Sequence, residues 1–238
     1  MICRTSLAAF NNIIYFDVET TGFDPKEDRI IELACVKVSA DGSTEEFDAF
    51  VCPDDGRDIP EKITQITGIT GLDVYAGTSI SEAEMITRFT ELMKNGKTLL
   101  VAHNAQFDLN FIAETMIRHK SKEGLAEFCA ADYLDTLTVY KDRAGYPHKL
   151  ENALVHYGLQ DEVQNSHRAI DDTKALAAVA EKMSQERDDL SCYVNVFGFN
   201  SKYGVSGRTL KKVTYAPQGT GYGMISEDRI LPKRLKEV

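Results

Sequence analysis

Asp17 and Glu19 close an apolar run, Ile13-Ile14-Tyr15-Phe16, and that junction most constrains the fold. The run has the character of a buried strand over Ile13–Val18. Residues two apart on a strand point to the same face, so both carboxylates share one. Carboxylates held side by side on a core strand repel each other and lose water. That costs free energy unless a cation or a shared proton offsets it. Hard oxygen ligands of this kind suit Mg²⁺ or Mn²⁺. An Asp-x-Glu pair is common by itself. Its weight here comes from two acidic segments downstream and a histidine beside the last.

The second segment runs from Leu99 to Ile112. Thr98–His103 reads as a buried strand and Gln106–His119 as the helix after it. Phe111, Ile112 and Thr115 share the helical face of Asp108, which puts this acid on the inward stripe. A helix-start acid favoured by the macrodipole is the simpler alternative. In the third segment, Ser166 or Asn165 caps a helix running to about Met183. Ala169, Leu176, Val179, Ala180 and Met183 cluster around Asp172, whereas Asp171 shares its side with Lys174, Ala178 and Glu181. Asp172 is therefore expected to face inward and Asp171 to face water. His167 precedes Asp172 by five residues, off its helical face, and so belongs at the helix mouth or in the preceding loop.

With Asp17-x-Glu19-Thr20-Thr21-Gly22, His103-Asn104-Ala105-x-Phe107-Asp108 and His167-x4-Asp172 in this order, the chain resembles the DEDDh 3′–5′ exonucleases. That group includes the proofreading subunit of bacterial DNA polymerase III. The Gly68-Ile69-Thr70 turn fits the same pattern, and the resemblance covers roughly residues 12–184. It implies a ribonuclease H-like fold and phosphodiester cleavage with two divalent cations, Mg²⁺ or Mn²⁺, about 3.5–4 Å apart. Asp17, Glu19 and Asp172 would hold one cation. Asp17 would share the second, with Asp108 approaching it. His167 would act as general base, a task that an imidazole pKa near ~6.5 suits. The products would be nucleoside 5′-monophosphates.

For the substrate, the resemblance implies contacts from Thr20, Thr21, Gly22, His103 and Asn104 around the terminal nucleotide. Phe107 and the Ile66–Thr70 segment, Ile66 and Ile69 included, would pack on terminal bases. Phe107 is equally explained as a helix-packing core residue. The implied partners are single-stranded or frayed 3′ ends of DNA or RNA and a separate DNA polymerase subunit.

The remaining pattern is that of a mixed α/β sheet flanked by helices. Ile13–Val18, Ile30–Val38 and Glu45–Val51 form a meander broken at Gly22-Phe23-Asp24-Pro25 and Asp41-Gly42. Thr98–His103 adds a fourth strand and Phe128–Asp132 a short fifth. Pro60–Thr67, Ser81–Lys94, Gln106–His119, Thr136–Arg143, His148–Tyr157 and Ser166–Met183 read as helices. Asp135 has the position of an N-cap. His119, His148 and His156 lack ligand spacing and read as structural or surface residues. The exonuclease domain is expected over residues 8–185, with a polar junction at Ser184–Leu190. A basic, aromatic-containing extension follows over 186–238, in which Tyr193–Phe199 and Leu210–Tyr215 would pair as a hairpin. Its aromatics either pack on the domain or contact nucleic acid; packing is the simpler expectation.

Net charge is −10 over 238 residues. Eight Lys/Arg against three Asp/Glu beyond Phe197 make the segment from Gly198 onward +5 and leave the first 197 residues at −15. A body this acidic is suited to gripping a few terminal nucleotides, and binds long duplexes weakly. Five scattered cysteines without C-x-x-C spacing fit a reducing cytoplasm. No apolar stretch is long enough for a membrane span, and the N-terminus lacks a secretory signal pattern. The expectation is a metal-dependent 3′–5′ exonuclease acting on DNA, proofreading in trans. The alternatives are an exoribonuclease and a catalytically silent nucleic-acid-binding adaptor.

Overall fold

A meander opens the fold: β1 (Asn12–Thr20), β2 (Ile30–Ser39) and β3 (Thr44–Cys52) pair antiparallel in sequence. Two short helices follow, α1 (Glu61–Thr67) and α2 (Gly71–Val74), then the two-residue β4 (Ile80–Ser81) and α3 (Glu82–Met93). Next come β5 (Thr98–Ala102), α4 (Ala105–Arg118), α5 (Lys122–Ala130), β6 (Asp132–Asp135), α6 (Thr136–Arg143) and α7 (Leu150–His156). The chain continues through α8 (Ala169–Glu186), α9 (Leu190–Tyr193), β7 (Val196–Phe199) and β8 (Thr214–Pro217). This computed structural model describes residues 6–163 and 168–219.

Six strands make the central sheet, in the order β4-β3-β2-β1-β5-β6, with β5 parallel to β1 and β6 parallel to β5. Both faces are covered. Ile13 and Tyr15 of β1 point into one cluster with Leu176, Val179 and Met183 of α8. Ile14, Phe16 and Val18 point the other way, onto Phe89 of α3 and Phe111 and Ile112 of α4. Phe16 and Phe89 meet at 5.5 Å between ring centres. Burying each such side chain contributes roughly 1.5–3 kcal/mol. By alternation, Asp17 and Glu19 lie on the α8 face.

Several local expectations are corrected. The sheet has a sixth strand, because Val51 and Cys52 pair parallel with Ile80 and Ser81. Phe128–Ala130 is helical: Ser121 caps α5 by accepting from the Gly124 N–H, and the strand begins only at Asp132. A short apolar run cannot be told from a helix by periodicity, and here the cap decides. The C-terminal strands pair parallel, Val196 with Thr214 and Phe199 with Pro217, so they are not a hairpin. A long connection between them allows this, and they pack against the body. Tyr193 and Phe197 are fully buried, whereas Tyr203 stands exposed. The polar junction is anchored: the buried Arg143 guanidinium donates to the Met183 carbonyl at 2.6 Å and pairs with Glu186 at 3.1 Å. The proposed caps Asn165 and Ser166, the base His167, and Tyr222 lie outside the described residues.

Candidate active site

β1 delivers the first two acids. A register shift follows Glu19, which pairs with Glu32 while Thr20 pairs with Ile30. Irregularities of this kind re-aim side chains beside functional sites. The next residues form a braced loop. Thr20 donates its hydroxyl to the Gly22 carbonyl at 2.6 Å, and Thr21 donates to the Asp28 carboxylate at 3.1 Å. A Cβ on Gly22 would run into that carboxylate, so a larger residue here would have to displace the Asp28 side chain from its bond to Thr21.

Asp172 arrives from α8. It is buried, while its neighbour Asp171 is partly exposed, as helical phase predicts. Oxygens of Asp17, Glu19 and Asp172 all lie within 4.8 Å of one another. Asp108, one turn into α4, is 3% exposed and accepts the Val18 N–H at 3.3 Å. It therefore reaches β1 between the other two acids' positions in sequence. Burial pushes Asp17 well above the ordinary carboxylate range, and Asp108, Glu19 and Asp172 push it further. Glu19 is raised to about 8, first by burial, then by Asp172, Glu32 and Asp108, against the pull of Arg168. Asp108 is raised to about 8 by burial, against the pull of its backbone hydrogen bonds. Carboxyls crowded in this way, with Glu19 and Asp108 each raised to about 8 and Asp17 raised as well, form a donor set that a divalent cation would relieve. All-oxygen carboxylate donors fit Mg²⁺ or Mn²⁺.

Glu32 was not singled out by sequence reasoning. It is fully buried on β2, facing Glu19, and its Oε1 accepts from Arg168 at 2.7 and 3.0 Å. Its Oε2 accepts the Ala169 N–H at 3.0 Å. Arg168 itself provides no side-chain cap for α8, so a carboxylate from β2 caps that helix across the sheet. Arg168 also lies 4.8 Å from the Phe50 ring centre. This pair fixes the residue bonded directly to His167. The available signal was an acid interrupting the apolar string Ile30-Ile31-Glu32-Leu33.

The remaining sequence candidates divide. Asn104 is exposed in a left-handed conformation at the start of α4, and its N–H donates to Asp135 at 2.9 Å. Asp135 caps α6 through the Leu137 N–H, as its position suggested, and also takes the Ala105 N–H. His103 spends both ring nitrogens on the protein: Nε2 lies 2.9 Å from the His148 carbonyl and Nδ1 3.0 Å from the Thr136 hydroxyl. Burial lowers its pKa, so it is a neutral brace. Phe107 is partly buried, its ring tilted against Phe111 at 4.9 Å and edge-on to the exposed Phe23 at 6.5 Å. Ile66 is 46% exposed, but Ile69 is only 1% exposed. Ile69 packs with Ile31, Ile63 and Val74, so it supports this rim and does not offer itself to a base. Leu72, 87% exposed beside it, is the apolar side chain that sequence reasoning missed.

A second group, Asp54, Glu82 and His119, also has ligand-like spacing. Its cations are already supplied by the protein. Glu82 Oε2 accepts from Arg118 at 3.0 Å and from His119 at 2.8 Å, and Arg29 lies 3.7 Å from Oε1. Arg29 in turn bonds Thr21 through its backbone, so this cluster braces the loop after β1.

This sheet and its converging acids define the class. A family model described as Exonuclease, RNase T, matches residues 14–180, and the chain belongs to that family. Two relatives place it more closely. It is 35% identical over 183 residues to a PolC-type DNA polymerase III of Clostridium perfringens, covering 74% of this chain and 12% of that protein. It is 33% identical over 159 residues to the DNA polymerase III epsilon subunit of Treponema pallidum, covering 67% of this chain and 70% of that one. The chain thus spans a small fraction of the PolC-type relative. Among solved structures, E. coli exonuclease I in complex with a dA16 oligonucleotide superposes with a TM-score of 0.65 at 22% identity, over 77% of this chain and 42% of that one. At that identity the likeness establishes the shared fold. No helix among the described residues is long and apolar enough to cross a membrane.

Proposed function

We propose that this chain is a metal-dependent 3′–5′ exonuclease that hydrolyses DNA to nucleoside 5′-monophosphates by a two-metal mechanism. The observation that carries the reading is the convergence of Asp17, Glu19 and Asp172 within 4.8 Å, with Asp108 alongside, in a chain of the exonuclease family. When bound, two divalent cations would supply Lewis-acid activation of water and neutralise charge on the leaving 3′-oxygen. Asp17, Glu19 and Asp172 would hold one of them, and Asp17 and Asp108 the other. His167 would take the proton from the attacking water. The next residue in sequence, Arg168, is clamped by Glu32. Thr20, Thr21, Gly22 and Asn104 frame the terminal nucleotide, while Phe107, Phe23 and Ile66 offer apolar surface to its base.

DNA is favoured because the similar proteins are named as DNA polymerase III subunits and an exonuclease bound to dA16. Proofreading for a separate polymerase in the cytoplasm is the role that similarity to the epsilon subunit supports. Digestion of 5′-labelled single-stranded DNA and RNA of one sequence tests the reading, with Mg²⁺, Mn²⁺ or EDTA. A metal-dependent ladder shortening from the 3′ end is expected, faster on DNA. Asp17→Asn should abolish it, because that carboxylate is common to both cation positions. Near-normal activity in the variant would overturn the assignment.

A further inference from the structure

Beside the acids lies a cavity of about 480 Å³ between α6, the α6–α7 loop and the C-terminal segment. Its volume falls in the ~300–1,000 Å³ range of small-molecule sites. Asn104, Lys141, Tyr146, Lys149, Asn200 and Gln218 contribute its chemistry. Asn104 also stands at the mouth of the acidic site, one turn before Asp108. The helices α6, α7 and α8 cover the same face of the sheet, the face that carries Asp17 and Glu19. Cavity and acids are therefore neighbours along one surface.

Two observations point to a nucleotide, and a third fixes the wall that would hold it. The chain carries −10 overall, yet two lysines and no carboxylate line this cavity, although Lys149 lies 3.6 Å from Glu151 beside it. Such a lining takes an anion. Tyr146 is 78% exposed, although an aromatic ring that size ordinarily finds cover. Its mounting is rigid: the His148 ring meets it at 5.9 Å, His148 Nε2 lies 2.9 Å from the Ala144 carbonyl, and the His148 carbonyl takes His103. Finally, Gln218 is a fixed part of the wall: it is 2% exposed, its Nε2 donates to the Thr138 carbonyl, and its Oε1 is buried against Gly198. A Cβ on Gly198 would collide with that oxygen, so the glycine makes room for it. A phosphate for the lysines and a ring for Tyr146 together describe one nucleotide.

We propose that this cavity is a nucleotide subsite that holds a residue of the DNA strand upstream of the scissile bond. The inference rests on the exonuclease reading for its strand, and it goes beyond the family pattern, because Asn200 and Gln218 lie outside residues 14–180. The extension thus supplies one wall of the substrate path. Amide side chains both donate and accept, so the subsite would tolerate any base.

The full chain, Lys141→Ala/Lys149→Ala and Tyr146→Ala are compared on two substrates, the p-nitrophenyl ester of thymidine 5′-monophosphate and hexathymidylate. The ester reaches only the acids. Both variants should leave its kcat and KM unchanged and raise the hexathymidylate KM about tenfold, the effect of one stacked base or a pair of phosphate contacts. Anisotropy of fluorescein-labelled hexathymidylate in EDTA reads the subsite without turnover and should show the same loss. Loss of inhibition by thymidine 5′-monophosphate, with oligonucleotide KM unchanged, would assign the site to free product. Unchanged KM, anisotropy and inhibition in both variants would overturn the proposal. If the unmodified chain cleaves neither substrate while the variants still lose oligonucleotide binding, the exonuclease reading fails and the subsite stands.

Discussion

Cation binding should release protons and tighten steeply with pH. In the metal-free protein burial raises Glu19 from 4.5 to about 8 and Asp108 from 3.8 to about 8. Asp17 is pushed up as well, by burial and by its acidic neighbours. At about pH 6, Glu19 and Asp108 are both largely protonated. A cation needs them ionised. Removing one proton about two pH units below its midpoint costs about 3 kcal/mol, at about 1.4 kcal/mol per unit. Release of one proton makes affinity rise about tenfold per pH unit, and release of two about a hundredfold, until about pH 8. Titration calorimetry with Mn²⁺ at about pH 6, 7 and 8, in buffers of different ionisation enthalpy, measures both affinity and protons released. Equal affinity at pH 6 and 8 with no buffer dependence would refute the reasoning.

The same groups set the sign of the stability profile. Between about pH 4 and pH 8 the folded metal-free chain holds protons that the unfolded chain has lost. Unfolding free energy then falls as pH rises through that window. The metal-free melting temperature should drop from about pH 5 to pH 8, and Mg²⁺ should restore more of it at the higher pH.

Other outcomes follow from single residues. Asp172→Asn should lower kcat at least about a hundredfold and Asp171→Asn only slightly, because only Asp172 points to the other acids; the reverse ranking in a turnover assay would refute the helical phase. Glu32→Ala should destabilise the fold by about 2–3 kcal/mol, since it removes charge-assisted bonds to Arg168 and the cap on Ala169; an unchanged urea midpoint would show that Glu32 does not anchor α8. Phe89→Ala should cost about 3–5 kcal/mol in the same assay, because its ring packs on Phe16 with no exposure; a loss under about 1 kcal/mol would mean that the core collapses around the gap.

Periodicity is local, and what depends on it was legible in the sequence. Asp17 and Glu19 share a face because a strand repeats every two residues, and Asp172 turns inward because a helix repeats about every 3.6. The strands of the meander, the inward placement of Asp108 and the cap at Asp135 followed from the same short-range rules. Pairing between distant segments is set by tertiary contacts, and no local rule reports it. The sequence placed three acidic segments in order, but only the folded sheet brings β1 and α8 within 4.8 Å and lays Asp108 against Val18. Glu32 looked like a flaw in an apolar strand until Arg168, 136 positions away, lay against it. The resemblance placed Ile69 against the substrate, yet packing on Ile31 takes it into the core. The parallel pairing of β7 with β8, and the cavity their segment walls beside Asn104, were likewise decided by where the extension docks, which depends on the shape of a surface that exists only after the domain has folded.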